Sequence, residues 1–110
     1  MSALTRLAEK VEAGTDETDY WWLDDHLGNL QKPLFMMGQP AFYGSLDAAK
    51  ALHEAVLPGW EWRLRENQAW VWRTATDMQY SGEVDDDLTG LPARAWLLAI
   101  LRALAAGETP

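Results

Sequence analysis

At Pro58-Gly59 the spacing of apolar residues changes from about four to two, and this change constrains the fold more than any other feature. Before it, Leu46, Ala49, Leu52, His53 and Val56 recur at three- and four-residue steps, the stripe of a helix that Ser45 caps. After it, Trp60-Glu61-Trp62-Arg63-Leu64-Arg65 alternates strictly, as a half-buried strand does. Gln68 to Thr74 reads as the returning strand, with the turn at Glu66-Asn67 or Asn67-Gln68. Either turn puts Leu64 on the same face as Ala69 and Val71, because side chains alternate across a strand. One face then carries Trp60, Trp62, Leu64, Ala69 and Val71, and is assigned to the core. The other carries Glu61, Arg63, Arg65, Trp70 and Trp72. A third strand is expected over Met78 to Val84, after a turn at Thr76-Asp77.

Helical patterns surround this sheet. Leu4, Leu7, Ala8 and Val11 make a stripe from Ser2 to Ala13, ended by Gly14. Thr15 to Leu27 reads as a second helix with acids in its first turn, stopped at Gly28-Asn29. Leu30 to Gly44, broken by Pro33, Gly38 and Pro40, reads as an ordered apolar loop with a short extended piece at Leu34–Met37. A last helix runs from Leu91 or Pro92 to Ala106, with Trp96, Leu97, Ile100, Leu101 and Leu104 on its apolar face and Gly107 at its end. The expected fold class is α+β: a small antiparallel sheet of two to three strands packed with about four helices, sandwich-like. At 110 residues the chain is one domain, 1–110, large enough to bury a core without a metal or disulfide.

Several chemistries lose their usual residues. The chain has no cysteine, which removes thiol nucleophiles, zinc thiolate sites and iron–sulfur clusters. Nucleophile elbows, Ser-x-x-Lys runs and glycine-rich phosphate loops are absent, so no nucleotide cofactor or catalytic residue is assigned. Asp85-Asp86-Asp87 precedes a helix without calcium-loop spacing and reads as a solvated acidic turn rather than a metal site. Asp24-Asp25-His26 lacks a metal-helix pattern, and His53 falls beside its helix stripe as a boundary residue. No cofactor, metal or enzymatic activity is expected. Nine Lys+Arg against seventeen Asp+Glu give a net charge of −8, which argues against direct nucleic-acid binding. The longest apolar run, Ala95–Leu101, is far short of the ~20 residues a membrane helix needs, and the host cytoplasm is the expected location.

Seven tryptophans are the unusual element of composition. Trp60, Trp62 and Trp96 are assigned to the core. Trp70 and Trp72 share a face with Arg63 and Arg65, which permits guanidinium–indole stacking across strands. Such a face is most often covered, here by Trp21, Trp22 or the Leu30–Gly44 stretch. The functional alternative is a protein-contact surface, since Trp and Arg anchor interfaces. Asp85, Asp86 and Asp87 mark a candidate acidic surface.

Phe42-Tyr43-Gly44-Ser45-Leu46-Asp47-Ala48-Ala49, Leu57-Pro58-Gly59-Trp60-Glu61-Trp62 and Leu91-Pro92-Ala93-Arg94-Ala95 together resemble small phage and prophage proteins of the phage ABA sandwich domain group. The resemblance implies helices packed on a small antiparallel sheet and carries no catalytic residue. Leu91 stands where the group often has Thr before the helix-opening Pro. The expected function is that of a small acidic, non-enzymatic phage or prophage accessory protein acting on a protein partner, self-association through Trp70 and Trp72 included. The alternative is an anti-defence inhibitor whose acidic surface occludes the basic nucleic-acid channel of a host nuclease.

Overall fold

In the first helix, α1 (Ala3–Ala13), Leu4, Leu7, Ala8 and Val11 are buried while Arg6, Glu9, Lys10 and Glu12 face water, the arrangement its stripe predicts. A computed structural model describes residues 3–13, 25–73, 78–84 and 92–108. Most of the expected Thr15–Leu27 helix lies outside the described residues, as do Ser2 and the turn at Thr76-Asp77. Asp25–Leu30 is a 3-10 turn interrupted by Gly28 at φ 58, a conformation open to glycine and costly for other residues.

The stretch expected as a loop is helical, and this is the main correction to the fold. Residues 31–42, here α2, run through an α-turn (Gln31–Pro33), a π-helical segment (Leu34–Gly38) and a second α-turn (Gln39–Phe42). Proline in a helix interior removes a hydrogen bond and clashes with the carbonyl four residues back. The π segment lies just before Pro40 and moves the Gln39 N–H onto the Leu34 carbonyl. Pro33 sits in the first turn, where it costs nothing. Gly44 at φ 111 then ends the run, its N–H donating to the Ala41 carbonyl at 3.0 Å.

Helix α3 (Leu46–Val56) begins as its sequence predicts. The Ser45 Oγ accepts from the Ala48 N–H at 3.1 Å. Ala49, Leu52 and His53 are buried, but Leu46, expected in the stripe, is 42% exposed because it sits in the first turn beyond the packed face. Gly59 at φ 83 turns the chain into the sheet.

Strands β1 (Glu61–Leu64), β2 (Gln68–Arg73) and β3 (Met78–Glu83) form an antiparallel meander in the order β1-β2-β3. Trp62 pairs with Val71, and Leu64 with Ala69, the register that the alternation demanded. Beyond β2, Val71 faces Tyr80 and Ala69 faces Gly82. Asn67 extends the ladder by exchanging backbone and side-chain bonds with Val84.

The last helix, α4 (Ala93–Glu108), runs past Gly107, the expected stop. It is buried around most of its circumference: Ala95, Leu98 and Ala99 join Trp96, Leu97, Ile100 and Leu101 below 3% exposure, while Leu104 is only half-buried. A helix apolar on all sides belongs between layers. One side of α4 packs on β2 and β3, the other on α1, α2 and α3. Gly82 makes the sheet contact possible, since a Cβ there would strike the Ala95 carbonyl oxygen and lie 2.7 Å from the Ala99 nitrogen. The fold is therefore α+β, with four helices among the described residues and a three-stranded antiparallel sheet. None of the described helices is long and apolar enough to cross a membrane.

Trp62 corrects the core assignment. It is 42% exposed, although its ring packs against Trp96 in a tilted contact, centroids 4.5 Å apart. The cause is geometric: α4 packs chiefly on β2 and β3, so β1, at the far edge, is only partly covered.

Candidate functional site

Register decides which side chains meet on the outer face of the sheet. Side chains alternate along each strand, so this face carries three cross-strand rows. One row is Glu61, Trp72 and Gln79; the next is Arg63, Trp70 and Ser81. In the third, Gln68 and Glu83 are paired, and Arg65 lies one residue past β1 with its N–H on the Gln68 carbonyl at 2.7 Å. Trp70 is central. The guanidinium carbons of Arg63 and Arg65 stand 6.0 and 5.9 Å from its ring centroid. The four residues assigned to this face from the sequence are thus brought together.

Trp70 and Trp72 are half-buried and both arginines exposed. A shallow hollow of about 300 Å³ is lined by Arg63, Trp70, Trp72 and Gln79. At ~6 Å on a wetted surface a cation–π contact is worth only ~0.5–1 kcal/mol, so the guanidiniums are oriented without being locked. Neither forms an ion pair with a carboxylate of the described residues. The cover expected from Leu30–Gly44 is not there, because α2 packs against α3 and α4 on the opposite side of the molecule from this face. Trp21 and Trp22, the other expected cover, lie outside the described residues.

The remaining candidates come to less. Asp85, Asp86 and Asp87 lie outside the described residues, as does Asp24, and nothing is described of the His26 side chain. Among the described residues no three His, Asp or Glu side chains gather as metal ligands would. His53 is fully buried, which corrects its reading as a boundary residue. An indole N–H can only donate and a carbonyl can only accept. With Trp96 Nε1 donating to Nδ1 at 3.3 Å and Nε2 bonded to the Trp60 carbonyl at 3.0 Å, the ring is the neutral Nε2–H tautomer. Both nitrogens are occupied in joining α3, α4 and the start of the sheet, which leaves neither for metal or proton transfer.

Two buried or bridging arginines escaped the sequence reading. Arg94, 3% exposed, donates from Nε to the Phe42 carbonyl at 3.1 Å, and its guanidinium lies 4.0 Å from the Phe42 ring centroid. A cation suits the carbonyl end of a helix such as α2. The signal was present: a charge two residues after Pro92, inside an otherwise apolar first turn. Arg102 bonds the Ser81 carbonyl at 2.8 Å and the Glu12 carboxylate at 2.6 Å, tying α4 to β3 and α1. No family model matches the sequence, and no curated protein and no solved structure matches it either.

Proposed function

We propose that the chain is a non-enzymatic phage or prophage accessory protein that works by protein–protein contact, through the outer face of its sheet. The observation that carries this reading is the grouping of Trp70 and Trp72 with two exposed arginines that have no carboxylate partner among the described residues. Tryptophan and arginine are the side chains most enriched at interface anchors. A large ring lying half-open beside guanidinium groups gains by desolvation when a partner covers it. The phage setting draws on the resemblance of the Phe42–Ala49 and Leu57–Trp62 segments. The occlusion of a nuclease channel draws on the net charge of −8. The exposed acids of the described residues sit on α1, α3, β1, β3 and the β1–β2 turn, and the reading adds no weight beyond that charge.

A photo-crosslinking residue placed at Gln79, within the face, is compared in host cells with the same residue at Lys50 on the exposed side of α3. The reading expects a protein adduct, a second copy of this chain included, from position 79 and not from position 50. Equal labelling from both positions, or none from position 79, overturns it.

A further inference from the structure

The charges of the outer face are unevenly placed, and their pattern specifies the chemistry of a partner. The chain has seventeen acids for nine Lys and Arg, yet among the described residues Arg63 and Arg65 form no ion pair with a carboxylate, and both guanidiniums lie about 6 Å from the Trp70 ring. Guanidinium groups in that position offer planar pairs of N–H donors, the geometry that fits a carboxylate in two parallel bonds. Their spacing carries a second message. Arg63, in β1, and Arg65, one residue past it, are rooted ~6.8 Å apart on the same side, and their guanidiniums flank the one Trp70 ring. An extended partner with acids two residues apart repeats that spacing.

The neighbouring row limits what may follow. Trp72 is paired with Glu61 on one side and Gln79 on the other. A third carboxylate at this row would meet Glu61, whereas an apolar or aromatic side chain would cover the Trp72 ring. Extended polyanions are disfavoured for a different reason. A nucleic acid or anionic bilayer brings a lattice of charge against a body of net charge −8, beyond what two arginines offset. A short segment on a folded protein brings two charges only.

We propose that the outer face binds an extended protein segment of the pattern acid–x–acid–x–apolar, with its two carboxylates on Arg63 and Arg65 and its apolar side chain on Trp72. This rests on the contact reading above and names the partner's chemistry.

The test is fluorescence anisotropy of labelled peptides carrying Glu-Ser-Glu-Ser-Trp, against the intact protein at low and physiological salt. The Gln-Ser-Gln-Ser-Trp and Glu-Ser-Glu-Ser-Glu peptides should each bind about tenfold more weakly or worse. The Arg63→Gln/Arg65→Gln variant should lose about tenfold or more for the acidic peptide at an unchanged melting temperature. Arg63→Lys/Arg65→Lys should recover part of that loss, because charge is kept and the planar fork is not. The proposal is overturned by equal binding of the Glu and Gln peptides, by no binding of the acidic peptide, or by undiminished binding to the Gln variant. Preferential binding of a single-stranded oligonucleotide or of phosphatidylserine vesicles would also overturn it. Position 79 crosslinking tests the face without any assumption about carboxylates, so the two readings can fail separately.

Discussion

Gly82→Ala isolates the contact on which the layering depends. Gly82 is fully enclosed between β3 and α4, and an added Cβ would lie 2.7 Å from the Ala99 nitrogen and 2.8 Å from Leu98 Cβ, besides striking the Ala95 carbonyl oxygen. Ordinary carbon contacts begin near ~3.5 Å, so the overlap is roughly 0.7 Å or more. Two of the three obstructing atoms are backbone, and the helix that carries them is itself packed on its far side by α1 and α3. The strand can be relieved only by lifting α4 or bending β3. Overpacking of a core costs ~1–3 kcal/mol, and rigid obstruction places this case at the upper end. Against it stands a gain of ~0.4–1 kcal/mol from the smaller entropy of an unfolded chain with Ala. The net expectation is a loss of about 2 kcal/mol. Urea unfolding followed by far-ultraviolet circular dichroism reads this as a midpoint lowered by about 1 M at unchanged slope, for slopes of ~1–3 kcal/mol/M. Because entropy alone would make Gly82→Ala stabilising, an unchanged or raised midpoint would refute the close approach of α4 to β3.

Other substitutions probe separate joints. His53→Phe puts a slightly larger apolar ring in the same place and leaves the Trp96 N–H and the Trp60 carbonyl without their His53 partner, for an expected cost of ~2–4 kcal/mol by thermal or urea unfolding. Nitrogen-15 correlation spectra should show a pyridine-like Nδ1 and a pyrrole-like Nε2 in the wild-type ring. Ser45→Ala should cost about 1 kcal/mol and speed amide exchange in the first turn of α3, where the cap bond to Ala48 is lost. Arg102→Ala should destabilise more than Glu12→Gln when both are melted side by side, since the exposed ion pair is worth ~0–1 kcal/mol and the bond to the Ser81 carbonyl is lost only in the first.

What the sequence made legible was local and periodic. The hairpin register followed from alternation because one residue of slippage would turn Ala69 and Val71 to solvent. The cap at Ser45 and the turn at Gly59 followed from turn chemistry. What it concealed was tertiary. Residues 31–42 carry helix-breaking residues at Pro33, Gly38 and Pro40, and only packing of Leu34, Ala41 and Phe42 against α3 and α4 selects the helix, with a π register making room for Pro40. Trp62 obeys its face but not its expected burial, because strand parity does not say which strand the covering helix leaves at the edge. The grouping of Arg63, Arg65, Trp70 and Trp72 was legible for the same reason as the register. The absence of α2 from their face was not, because it depends on where the helical layers pack.

Oxidative footprinting of the free protein in solution, resolved at single tryptophans, tests most directly whether the outer sheet face is open. Trp70 and Trp72, half-buried on that face, should oxidise at rates approaching that of the exposed Trp62 and well above that of the enclosed Trp96. Rates for Trp70 and Trp72 as slow as that of Trp96 would mean that the face is sealed within the chain itself, which contradicts its role as a contact surface.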